Sequence, residues 1–328
     1  MIYNASVHRG TSTFQFILLI GLIILFPMTS HAELPTPPPG DQISQGLWWL
    51  YHLKYDKARE LFSDYNKTHP NDPCGYFYQT ATQWWHLAQE FDYKLPDVQS
   101  QFENDYESTV RTAKALYETT KDPKEKARAA LYWGGAEGLK GRWLVTQQEW
   151  VKAYFLGKHG AALLKKALEY DPGLYDAYMG LGIYDYFTDT LPGVQGVLAA
   201  LFIHGDKKRG IDELNIAIQK GERSRIEATI FLVEIYTYEE NNPEKGLALT
   251  EELRKEFPHS AAMHLAQVTT LFAMQRWDVL VFEASQFVTR CKNEEPYYYE
   301  KGLRPGYYCL GMASSIFFCP RSAAIPKQ

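Results

Sequence analysis

From Asp41 onward the apolar residues recur three and four positions apart rather than in alternation, the spacing of helices with one buried face. No alternating β-branched run is long enough for a strand, so the pattern predicts an all-α fold. Helix starts are marked as well. Asp72-Pro73, Asp122-Pro123 and Asn242-Pro243 each set an oxygen-bearing cap before a proline, whose missing N–H costs nothing in a first turn. Asp122 and Glu125 stand at the spacing of a capping box. These signals divide the chain into helix pairs near 41–71, 72–121, 122–172, 173–222, 223–258 and 259–294, followed by a lone helix from about 296.

Small residues return at matching places in these pairs. Tyr55, Ala58, Phe62 and Pro70 in one helix are echoed by Gly160, Leu164, Ala167 and Pro172, and again by Gly246 and Pro258. Companion helices carry Gly46, Gly135, Gly182 and Gly311, the last two inside Tyr-x-x-Leu-Gly (Tyr178, Leu181, Gly182; Tyr307 to Gly311). A small side chain is expected where two helix axes nearly touch, because a larger one pushes them apart. The pattern resembles tetratricopeptide (TPR) repeats. That resemblance implies a right-handed TPR-like superhelix of about six antiparallel helix pairs plus a lone C-terminal helix, a curved stack and not a closed globule. The caps at Asp72 and Asp122 make units longer than the standard 34 residues. Tyr307 to Ala313 reads as a first helix lacking its second, so Ser314 to Gln328 is either an atypical cap or a shortened repeat that leaves Ile316-Phe317-Phe318 exposed.

One segment is more specific. Leu181 to Pro192 is followed by an apolar stretch and then by Gly205-Asp206-Lys207-Lys208-Arg209-Gly210. This order resembles the tetratricopeptide repeat protein 39 / mitochondrial outer-membrane inclusion-clearance family, which supplies no catalytic residues to carry over. From the residues alone, Gly205 ends one helix, Asp206 caps the next and Gly210 permits close packing. Val197 to Ile203 is expected as a buried plug inside the superhelix, the alternative being a membrane-touching hairpin tip.

The N-terminus departs from that family. Residues 1–32 hold one basic residue, Arg9, and no acid, then an apolar run from Phe14 to Phe26 and the small-residue ending Ser30-His31-Ala32. This is a bacterial-type export signal with Glu33 as the expected mature start, predicting a periplasmic or extracellular protein. The run is shorter than the roughly 20 residues of a membrane span, so an uncleaved anchor is the second choice. Residues 33–40 form a proline-rich spacer, 41–318 the TPR-like helical domain and 319–328 a C-terminal tail.

The formal charge of −5, with 34 basic and 39 acidic residues, gives no footprint for nucleic acid. Cys74, Cys291, Cys309 and Cys319 allow three full pairings, and any bridge is expected at the C-terminal end. None forms Cys-x-x-Cys, which argues against redox and zinc chemistry.

In TPR arrays the first helix of each pair lines the concave groove. Carrying that register through gives Tyr132, Leu139, Lys140, Met179, Tyr186, Phe187, Phe231, Tyr238 and Glu239, an aromatic groove suited to an apolar or extended peptide. Trp48-Trp49 and Trp84-Trp85 are candidate glycan platforms, although one Trp of each pair is expected in the core. Asp185 and Asp189 share a helical face without other signs of catalysis, and His259 and His264 are five apart, not the four of a zinc motif. Asn66-Lys67-Thr68 is a glycosylation sequon. No nucleotide or hydrolase motif is present, and no cofactor is expected. The sequence therefore predicts an exported, non-enzymatic scaffold that binds a protein or peptide in its groove. The alternatives are a cell-envelope glycan-binding accessory or enzyme, and a membrane-tethered assembly factor with a retained N-terminus.

Overall fold

A computed structural model describes residues 35–89, 95–190 and 205–318. The expected leader, the apolar run 197–203, Cys319 and the tail lie outside the described residues, as do the side chains of Asp189 and of 316–318. Pro35 to Gly40 form no helix. The described residues then fold into helices alone: α1 (Gln42–Tyr51), α2 (Tyr55–Thr68), α3 (Pro73–Gln89), α4 (Pro96–Thr119), α5 (Pro123–Thr146), α6 (Trp150–Tyr170) and α7 (Ala177–Thr190). They are followed by α8 (Lys207–Lys220), α9 (Arg225–Glu234), α10 (Pro243–Glu256), α11 (Ala261–Ala273), α12 (Trp277–Lys292) and α13 (Leu303–Phe318). Among these none is long and apolar enough to cross a membrane.

The helices pack in neighbouring pairs, and α1, α3, α5 and α7 also touch one another in succession. The proline starts fall at the first positions of α3, α5 and α10, and Pro70, Pro172 and Pro258 lie exposed in the turns after α2, α6 and α10. Asp122 Oδ1 accepts from the Lys124 N–H at 2.9 Å, whereas Glu125 accepts from Thr120 Oγ1 at 2.6 Å. The reciprocal half of the expected capping box is therefore replaced, because Thr120 Oγ1 takes the Asp122 N–H. Asp206 caps α8 through Arg209 N at 2.9 Å. The last helix begins at 303, after a short 3₁₀ turn, and not near 296. Tyr297 has φ 67°, a left-handed conformation that ends any helical run there.

Small residues mark the close approaches. A Cβ on Gly182 would lie 2.7 Å from the Gly210 carbonyl, and one on Gly210 2.8 Å from that of Gly182, so α7 and α8 meet backbone to backbone. Gly46 faces the Phe62 ring, Gly246 would meet Thr237 Oγ1 at 2.5 Å, and Ala58, Phe62, Ala167 and Leu181 are buried. Two positions differ. At α5/α6 the residue against Gly160 is Gly134, while Gly135 faces Phe77 of α3. Gly311 meets nothing within 4 Å, so among the described residues it marks no close approach.

Contacts also join pairs that are not neighbours in sequence. The Ser260 hydroxyl donates to the Tyr51 carbonyl at 2.6 Å, the Tyr51 and Phe257 rings lie 5.6 Å apart, and Trp85 Nε1 donates to Glu227 at 2.5 Å. The first two pairs thus pack against the fifth and sixth, and residues of α1, α3, α9, α10 and α11 share one hydrophobic cluster. The expected curved stack of neighbouring pairs therefore carries a closure between pairs that are far apart in sequence.

Candidate functional site

The closure brings first helices together around an apolar cavity of about 420 Å³, within the range of small-ligand pockets. Leu47, Leu50 and Tyr51 face it from α1, Tyr78, Trp84 and Trp85 from α3, and Leu131, Tyr132, Leu139 and Arg142 from α5. Helix α7 adds Met179, Ile183 and Phe187, and α9 adds Glu227 and Phe231; among the described residues α6 is the one second helix that joins in, through Ala161 and Leu164. Gly134, Gly138 and Gly141 on α5 keep this wall thin, and a Cβ on Gly138 would meet nothing within 4 Å.

Tyr132, Leu139, Met179, Phe187 and Phe231, read from the sequence as groove residues, line the cavity together. The other four do not. Lys140 lies next to Leu139, about 100° round the helix, and pairs with Glu103 of α4. Tyr186 sits one turn after Gly182 on the face toward α8, fully buried, with its hydroxyl donating to Glu240 at 2.7 Å. Tyr238 and Glu239 fall in a π turn, Ile235–Glu239, and are exposed. That turn rotates them away from the face carrying Phe231.

Several side chains were not legible as site residues. The Arg142 guanidinium lies between the Trp84 and Phe231 rings, 4.4 and 4.5 Å from their centroids. Burial raises the Glu227 pKa, opposed by the Trp85 hydrogen bond and by the charge of Arg142. Asp176 Oδ1 accepts from Arg223 N at 3.0 Å, Ser224 N at 2.9 Å and Ser224 Oγ at 2.7 Å. Arg223 Nη2 reaches Asp41 at 3.2 Å, while its Nη1 has no hydrogen-bond partner. The only hint in the sequence is that Arg142 continues the apolar spacing Leu131, Leu139, Val145 as a charge on an apolar face.

The remaining candidates are taken up by the fold. Trp84 and Trp85 are both buried, whereas Trp48 and Trp49 are both half-buried and meet edge to face at 4.9 Å, so neither pair splits into the expected one core and one outward Trp. Asp185 is buried against Arg209, and His264 is buried with Nδ1 2.8 Å from the Tyr298 hydroxyl. Asn66 is also buried and donates to Gln79 at 2.9 Å, which occupies the amide nitrogen of the sequon. Cys74, Cys291 and Cys309 are free and buried, so Cys291 and Cys309 form no C-terminal bridge with one another. Burial pushes the Cys74 and Cys309 thiols up to about 11, which keeps them protonated and unreactive at neutral pH. Among the described residues no cluster of His, Cys, Asp and Glu could hold a metal ion. No family model and no curated protein matches the chain.

Proposed function

We propose that this chain is an exported, non-enzymatic scaffold of right-handed TPR-like helix pairs whose inner surface receives an apolar segment of a protein or peptide partner. The observation that carries this is the convergence of α1, α3, α5, α7 and α9 on one cavity with an aromatic and aliphatic lining. Such a lining favours desolvation of apolar groups, and its few polar side chains fix orientation. Arg142, Glu227 and Asp176 are matched to neighbours, a composition suited to holding a ligand.

A photo-crosslinking residue at Met179, which lines the cavity, is expected to trap partners in native envelopes, whereas one at the exposed Tyr238 traps none of them. Identical profiles from the two positions, or nothing from Met179, would end this reading.

A further inference from the structure

We infer that the outward face of α6 is a docking surface for an anionic phospholipid membrane, the apolar residues at its N-terminal end entering the lipid and its lysines meeting the phosphates. This face lies opposite the residues that α6 gives to the cavity, so its occupant is separate from the cavity's. Ala153, Gly160, Ala161 and Leu164 turn inward and are buried, which leaves Val151, Phe155, Lys158, Ala162 and Lys165 outward at spacings of three and four. Trp150, at the first position of the helix, is exposed together with Val151 and Phe155. These are three of the eight large apolar side chains exposed among the described residues, and they fall within six consecutive positions. Single exposed apolar groups are ordinary, whereas a cluster marks a contact surface.

Charge decides what that surface meets. The chain carries −5, whereas Trp150–Tyr170 holds four lysines (Lys152, Lys158, Lys165 and Lys166) against one acid, Glu169, a local charge of +3. No acidic residue interrupts the helix between Glu149 and Glu169. Lys152 pairs with Glu149 and Lys166 with Glu169, exposed pairs one turn apart that hold their lysines weakly. Among the described residues, Lys158 and Lys165 are exposed and lie in no ion pair.

Lys152 to Lys166 spans about 21 Å of helix, so the positive charge is diffuse. A row of flexible cations with aromatic and aliphatic groups at one end is the composition of a helix lying in a lipid interface, ammonium groups at the headgroups and apolar side chains below them. A structured acidic partner would call instead for fixed, desolvated ion pairs around a pocketed anchor. No described helix is long and apolar enough to cross a bilayer, so the contact is peripheral.

The test is co-sedimentation of the mature chain from Glu33 with vesicles of phosphatidylcholine alone and of equal parts phosphatidylcholine and phosphatidylglycerol. Binding to the anionic vesicles is expected to be at least about tenfold tighter than to the neutral ones and to weaken as salt rises. Each lysine near an anionic surface adds about fivefold, so Lys158→Gln combined with Lys165→Gln should weaken binding at least about tenfold. Val151→Ser with Phe155→Ser, both at exposed positions, should weaken it comparably and leave the melting temperature unchanged. Lipids brominated in their chains should quench the fluorescence of the wild type more than that of Trp150→Phe. The exposed Tyr308 and Met312 of α13, a helix with one charged residue, Arg304, supply the control: Tyr308→Ser with Met312→Ser should bind as the wild type does. Equal binding to neutral and anionic vesicles overturns the role of the lysines. Equal loss in the α13 variant overturns the assignment to α6, and equal quenching with and without Trp150 overturns its entry into the lipid. Sedimentation with neither vesicle overturns the membrane itself, and polyglutamate bound by the wild type but not by the lysine variant would then assign the face to an acidic protein.

Discussion

Two buried histidines give the molecule a defined response to acid. His264 Nε2 lies 3.3 Å from Glu283, whose carboxylate also accepts from Arg254 at 2.9 Å. Burial, reinforced by Arg254 and Arg290, pulls the His264 pKa from 6.5 to about 3. Burial pulls His52 to about 4 against the opposing hydrogen bond to the Trp48 carbonyl. Each folded-state pKa is depressed, so below about pH 6.5 the unfolded chain takes up protons that the folded chain does not. Stability then falls by up to about 1.4 kcal/mol per pH unit for each group until its folded pKa is reached. Glu213 has the opposite sign: burial first, then the neighbouring Asp185 charge, raises its carboxyl to about 7. Its neutral form contributes stability that is complete below pH 4.5 and is lost as pH rises through 7. Melting temperatures of the wild type should therefore fall between pH 6.5 and 4, with a shallower slope in His264→Gln. Parallel slopes would show that His264 titrates normally.

At the scale of the helix pair, the starts were legible and the ends were not. Prolines and carboxylate caps announce α3, α5, α8 and α10 because those residues act locally and by a mechanism visible in sequence. The turns inside the pairs lack their usual mark. Leu53, Gln148, Asn241 and Gln275, with φ between 48° and 62°, each place one left-handed residue just past the first helix of a pair. Glycine is the common residue there, and its absence hid four equivalent turns. An L-residue in this conformation costs about 1–2 kcal/mol, against about 0.4–1 kcal/mol of unfolded-state entropy added by glycine. Gln148→Gly and Gln275→Gly, both at exposed positions, should each stabilise the protein by about 0.5–1 kcal/mol in thermal or denaturant unfolding. Gln147→Gly, at a residue with φ −89°, is the control and should not stabilise. The same local logic explains the groove residues that missed: a one-residue offset turned Lys140 toward α4, and a π turn carried Tyr238 outward.

At the scale of the whole chain, the decisive contacts join residues too far apart in sequence for any periodic pattern to carry. Ser260 bonds to Tyr51 across 209 positions and Trp85 to Glu227 across 142. They convert a row of pairs, in which each unit depends on its neighbours alone, into one in which the first depends on the sixth. That difference is measurable. In an open array the terminal pair frays independently, and its amides exchange at a lower opening free energy than those of the middle. Here α1 and α11 should open together, since losing either exposes the cluster of Leu50, Tyr51, Phe257 and Met263. Ser260→Ala leaves the buried Tyr51 carbonyl without its donor, at a cost of about 1–3 kcal/mol. Native-state hydrogen exchange on that variant should show matched loss of protection in α1 and α11, with α6 and α8 changed only through global unfolding. Loss confined to α11 would mean that the first and sixth pairs are energetically separate, so that α1 keeps its place against α3 without the Ser260–Tyr51 contact.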